Sequence, residues 1–216
     1  MSLKPLLMRA EEASQLLFMV RQLTREDARV IELIAPQPKA GTSTLALDLA
    51  LLTAEEAGRP ILLLDLGQPR NAQADALEAS NLLREDPWGT MVLPASLGGQ
   101  AFDVVPVENS TLMVSRRLPP GFAIGEPPPE ADVFLAQLKS LFEWVIIDAP
   151  APARSFDGII AASMAEAVVM VLVADNTRAP VADKLRDQLV DARANLAGVL
   201  LNRRRFYIPR FLYRHL

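Results

Sequence analysis

The chain has 216 residues, half of them hydrophobic, with 22 Lys and Arg against 26 Asp and Glu for a formal charge of −4. That length suits one α/β domain with a sizeable core, and the near-balance of charge lacks the basic excess that nucleic-acid binding asks for. With no cysteine and a single histidine, His215, the sequence excludes disulfides, thiolate nucleophiles and Cys- or His-rich metal centres, and it leaves a Ser-His-Asp triad without a credible base.

The opening MSLKPLLMRAEEAS has too short an apolar run, cut by charge, to read as a signal peptide. Residues 9–26 place Ala13, Leu16, Leu17, Val20 and Leu23 on one stripe and predict a helix. VIELIA (30–35) predicts a strand. The loop PQPKAGTS follows, then a helix ending near Gly58 and a second apolar strand, ILLLD (61–65). Two near-continuous apolar strands around a helix are the mark of a βαβ unit and a parallel sheet.

Residues 72–84 look helical, and 85–125 read as short strands and loops, with apolar pieces at 91–94, 103–107 and 111–115. GEPPPEAD (125–132) is a stiff turn into a helix at 131–141, with Pro129 and acids in its first turn. WVIID (144–148), AVVMVLVA (167–174) and AGVLLN (197–202) predict strands. Residues 156–165 and 179–194 predict helices, the latter with Val181, Leu185, Leu189 and Ala192 on its apolar side. The expected fold class is α/β: a three-layer domain with a mostly parallel central sheet over residues 1–202, which the loop and motifs below refine to P-loop NTPase-like, followed by a tail over 203–216. No run of about 20 apolar residues is present to span a membrane.

A phosphate-binding loop works by pointing consecutive backbone N–H groups inward, with a lysine reaching the terminal phosphates and a Ser or Thr hydroxyl on Mg²⁺. The segment Ala35-Pro36-Gln37-Pro38-Lys39-Ala40-Gly41-Thr42-Ser43-Thr44 stands in the right place, between an apolar strand and a helix. Gly41, Ser43 and Thr44 suit the pattern. Thr42 stands where the lysine is expected, and Lys39 comes three residues early. The segment reads either as an altered nucleotide site or as a plain turn with Ser43 capping the helix. Two carboxylates favour the first. Asp65 and Asp148 each follow four largely apolar residues, which puts both at the C-terminal edge of a parallel sheet, where ligands gather. There Asp148 would hold Mg²⁺ beside Ser43, and Asp65 would polarise a water or a substrate hydroxyl.

PQPKAGTSTLALDLA, ILLLDLGQPR, WVIIDAPAP and GVLLNR occur in that order. With them the chain, from about Glu12 to Asn202, resembles the cytoplasmic tyrosine-kinase domains of bacterial capsule and exopolysaccharide systems. These belong to the P-loop ATPases that include the chromosome-partitioning and septum-positioning ATPases. The resemblance implies the Walker roles for Gly41, Thr42, Ser43, Thr44, Asp65 and Asp148 and a base-contacting role for Asn202. It implies a cytoplasmic place at the inner face of the plasma membrane, beside an inner-membrane chain-length or export protein, and self-association. The departures weaken catalysis. The lysine is Thr42, the signature lysine of the partitioning ATPases falls on Gln37, a second kinase aspartate falls on Gly67, Gln15 takes an arginine position, and only Tyr207 and Tyr213 remain to be phosphorylated.

The tail, NRRRFYIPRFLYRHL, carries five arginines and no acid. Docking on a partner, folding back on the acidic body, and peripheral membrane contact are its three readings. The expected function is a non-catalytic or weakly active ATPase-like subunit of exopolysaccharide assembly, binding either no cofactor or ATP/ADP with Mg²⁺. The alternatives are an active tyrosine autokinase or ATPase of the same pathway, and a partitioning-type positioning ATPase.

Overall fold

The computed structural model of the chain describes residues 18, 22, 28–66, 72–84, 88–92, 101–116 and 131–203. The helix expected over 9–26 lies outside the described residues except for Phe18 and Gln22, which are helical, as do the turn at 125–130 and the tail beyond Arg203.

The apolar runs form the strands β1 (Val30–Ile34), β2 (Ile61–Asp65), β3 (Gly89–Val92), β4 (Ala101–Pro106), β5 (Leu112–Arg116), β6 (Trp144–Asp148), β7 (Ala167–Val173) and β8 (Leu196–Asn202). The helices are α1 (Thr42–Glu56), α2 (Ala72–Ala79), α3 (Ala131–Leu141), α4 (Asp157–Met164) and α5 (Ala179–Asp191). The eight described strands make one sheet in the order β3-β4-β5-β2-β6-β1-β7-β8. The pairings from β5 to β8 are parallel, and β3, β4 and β5 pair antiparallel at one margin. The three short pieces expected within 85–125 are therefore a meander that extends the parallel sheet.

Alternation along the strands sorts the core into two faces. Ile31 and Leu33 of β1, Ile61 and Leu63 of β2 and Ile146 of β6 pack with Leu45, Leu49 and Ala50 of α1 and Leu77 of α2. Val30, Leu62, Val145 and Ile147 meet Phe134, Leu138 and Phe142 around α3, and Ile34, Val168 and Met170 meet Leu185 and Leu189 of α5. Helices on both faces of a mostly parallel sheet give the three-layer arrangement expected. Burying each of Leu185 and Leu189 contributes roughly 1.5–3 kcal/mol, which anchors a helix whose Val181 is 38 % and Val190 62 % exposed. Val181 thus lies at the rim of the stripe to which periodicity assigned it. Helix α2 is shorter than its periodicity suggested. It stops at Ala79 because Asn81 turns left-handed (φ 54°) and the Leu82 N–H closes back on the Leu77 carbonyl at 2.9 Å.

Two acids are sealed in this core. Glu32, in the middle of β1 between Ile147 and Val168, is fully buried, and so is Asp48 on α1. Neither carboxylate has a hydrogen-bond partner among the described residues. Burial drives the Glu32 carboxyl well above its ordinary 4.5 and lifts Asp48 to about 6. The folded state therefore holds protons that the unfolded chain releases. The stability linked to Glu32 is complete below about pH 4.5 and is lost as pH rises toward its folded value. Glu32→Gln should raise the melting temperature at pH 8, by about 2–4 °C for each kcal/mol recovered, and should leave it nearly unchanged at pH 4. Thermal melts across pH check this, and a difference independent of pH would contradict it.

Candidate functional site

Parallel pairing brings the C-terminal ends of β1, β2, β6 and β7 to one edge of the sheet. A cavity of about 450 Å³ opens there, lined by loop residues 37–44, Asp65, Asp148, residues 149–151, Arg154 and Arg203. Lys39, Gly41, Thr42, Ser43, Thr44, Asp65 and Asp148 thus meet at one place, as their spacing suggested. A larger cavity, about 800 Å³, lies at the opposite end of α1 among Glu55, Arg84, Glu108 and Ser110. It is remote from the sheet-edge carboxylates and from the start of α1.

The loop is held rather than free. Lys39 (φ 63°) and Gly41 (φ 88°) are both left-handed. Glycine suits the second position twice over, because a Cβ there would also run into the Asn202 side-chain amide. That amide donates to the Ala40 carbonyl at 2.8 Å, while the Asn202 side-chain oxygen accepts from the Arg203 N–H at 2.7 Å. Asn202, expected to touch a base, clamps the loop in this structure. Gln37 donates to the Asn176 side-chain oxygen at 2.9 Å, pinning the loop to the turn after β7. Helix α1 begins at Thr42 with Gly41 as its N-cap and no side-chain cap, so Ser43 is not the capping residue that the plain-turn reading required. The first N–H groups of α1 have no acceptor within the helix and face the cavity end of the loop. Thr42 is buried and short, and it adds no charge.

Asp65 and Asp148 are direct partners in the parallel register of β2 and β6, and both are buried. Gln73, near the start of α2, ties them together. Its backbone N–H donates to Asp65 Oδ2 at 3.1 Å, and its side-chain amide donates to Asp148 Oδ2 and to the Ser43 carbonyl, each at 2.7 Å. The Asp65 N–H donates to the Ser115 hydroxyl oxygen at 3.0 Å. Burial first, then the Asp65 charge, raises the Asp148 carboxyl to about 7, against the opposing hydrogen bonds from Gln73 and Ser43. Two adjacent buried carboxylates and the Ser43 hydroxyl are hard oxygen donors of the kind that holds Mg²⁺ with phosphates completing its shell. The residues present therefore fit the ion.

Gln73 was invisible to motif reading, because its role depends on α2 starting directly above the ends of β2 and β6. Arg154 was equally hidden. It stands six residues after Asp148, in a turn closed by its own N–H on the Ala151 carbonyl at 2.8 Å. The only signal for either was a polar residue close behind a strand-ending aspartate.

No family model matches the chain. Tyrosine-protein kinase CpsD of Streptococcus agalactiae is 24 % identical over 187 residues, 84 % of this chain and 78 % of that protein. The VpsO kinase domain is similar in structure with a TM-score of 0.66 at 24 % identity, covering 90 % of this chain and 96 % of that one. The MinD cell division protein of Aquifex aeolicus gives a TM-score of 0.59 at 20 % identity, over 87 % of this chain and 73 % of that one. These likenesses establish the fold alone, a three-layer α/β domain like that of the VpsO kinase domain and of MinD. Among the described residues, no helix is long and apolar enough to cross a membrane.

The acid pair carries its own test. Folding binds a proton at Asp148, so the stability linked to it is present below its ordinary value of 3.8 and is lost as pH climbs to about 7. Asp65→Asn removes the repulsion and keeps an oxygen for the Gln73 N–H. Without metal, its melting temperature should exceed that of the wild type by a few degrees at pH 8, and the gain should shrink at pH 5. Added Mg²⁺ should stabilise the wild type more than this variant.

Proposed function

We propose that this chain binds a nucleoside di- or triphosphate with Mg²⁺ at the loop cavity and acts as an ATP-dependent subunit, of tyrosine-kinase or ATPase type, in exopolysaccharide assembly. The observation that carries this is the buried, register-paired Asp65 and Asp148 at the floor of a cavity whose wall is the N-terminus of α1. A plain strand-to-helix turn has no use for two adjacent buried acids, which cost stability unless a cation offsets them. The likeness to a protein named as a tyrosine kinase, over most of both chains, supports the kinase type. The polysaccharide pathway, a membrane-bound chain-length or export partner and a cytoplasmic location follow from the resemblance described above.

In this reading the α1 N–H groups and Gly41 cradle phosphate oxygens, and Ser43 and Asp148 hold the ion. Asp65, at the floor of the cavity, would orient a water or hydroxyl nucleophile. Bound Mg²⁺ would supply the charge that draws phosphate oxygens toward the pair. Gln73 keeps both carboxylates in register with the loop. Phosphoryl transfer depends on such placement and charge rather than on covalent chemistry. With Thr42 in the lysine position, turnover is expected to be slow by about two to three orders of magnitude relative to a site with an intact set of donors.

A second reading keeps the fold as a scaffold without nucleotide, and Thr42 is the observation that favours it. Calorimetry with ADP and ATP, with and without Mg²⁺, separates the two. The proposal expects micromolar binding that needs Mg²⁺ and is lost in Asp148→Asn, with slow phosphate release. Absence of binding at millimolar nucleotide would leave the scaffold.

A further inference from the structure

We propose that Arg154 is the phosphate-neutralising residue of this site, taking by a different route the place of the lysine that position 42 lacks. This rests on the nucleotide reading above.

The charge balance of the cavity calls for such a residue. Its floor holds two carboxylates, and a nucleoside triphosphate adds several negative charges. The α1 N-terminus offers only about half a positive charge. Thr42, at the base of the helix, is 9 % exposed and cannot extend into the space. Among the described residues, three cationic side chains line the cavity: Lys39, Arg154 and Arg203.

The topology separates their roles. In the order β2-β6-β1-β7-β8, both carboxylates lie on the β2 and β6 side of the loop. Arg203 follows β8, two strands away on the other side, next to the Asn202 that clamps Ala40. Lys39 sits on the exposed outer turn of the loop itself. Arg154 leaves the same strand as Asp148 and so belongs to the side where ion-bound phosphates must lie. Its segment is short and stiff. Pro150 and Pro152 flank Ala151, whose carbonyl accepts both the Arg154 N–H and the Ser155 N–H, at 2.8 and 3.3 Å, and α4 begins at Asp157. Arg186 pairs with Asp183 and Asp187 and Lys139 with Glu166, while surface cations such as Lys184 and Arg193 have no ion pair among the described residues. Arg154 makes no ion pair among the described residues, although Asp148 lines the same cavity. A guanidinium is also the better choice for a charge arriving from the side. Its planar fork grips two phosphate oxygens at once and stays charged at every relevant pH.

The test is calorimetry of Mg-ATP on the wild type, Arg154→Ala, Arg154→Lys, Lys39→Ala and the double variant Thr42→Lys/Arg154→Ala, with melting curves to confirm folding. Arg154 is exposed, so its replacement should leave the melting temperature unchanged. The expected results are a loss of about 10- to 100-fold in affinity for Arg154→Ala, partial retention for Arg154→Lys, a smaller loss for Lys39→Ala, and recovery in the double variant. A wild type that binds while Arg154→Ala binds equally well overturns the role of Arg154 and spares the nucleotide reading. A loss that Thr42→Lys does not repair overturns the exchange of one cation for the other. A wild type that binds no nucleotide sinks both this inference and the reading beneath it.

Discussion

Asp65 and Asp148 stand shoulder to shoulder at the ends of neighbouring parallel strands, buried, with hydrogen bonds from Gln73 to each. Parallel pairing forces this. Residues in register on adjacent strands are about 5 Å apart, and the crossovers leave both strand ends on the edge where the loop after β1 also emerges. Carboxylates so placed cannot both be ionised at low cost. Either one keeps a proton, which the raised Asp148 carboxyl reflects, or a cation comes between them. The chemistry available to this edge follows from that choice.

The loop beside the pair is built for rigidity rather than for charge. Two side chains brace it. Gln37 holds Asn176, and Asn202 holds Ala40 and closes over Gly41. Among the described residues, positive charge at the cavity comes from Lys39, Arg154 and Arg203. A cradle of fixed N–H dipoles with cations at its sides remains suited to polyanion binding, even though the ammonium normally supplied from the helix base is gone. Precision of placement then matters more, and Gln73 contributes it by joining α2, the start of α1 and both carboxylates in one set of bonds.

Much of this was legible from sequence because strongly patterned features leave local marks. Apolar runs such as ILLLD and WVIID carried their own strand assignment and even their terminal aspartates, and the fold class followed from their alternation with helices. What stayed hidden depended on distant partners. The strand order, with β6 inserted between β1 and β2, is set by crossovers that no local pattern records. Glu32 reads as one polar letter within VIELI, yet its burial without a partner becomes evident only when β6 and β7 flank β1. Gln73 and Arg154 look like ordinary surface residues until the sheet edge assembles beneath them. The clamp by Asn202 depends on contact across 162 residues, which no local pattern records.

The protonation of Asp148 tests the account most directly. Carbon-detected NMR of selectively labelled aspartate should show its carboxyl titrating near 7 in the free protein and shifting to well below the ordinary carboxylate range when Mg-ADP is added. An ordinary titration that Mg-ADP leaves in place would mean that the pair is neither strained nor a cation site, and the functional reading built on it would fall.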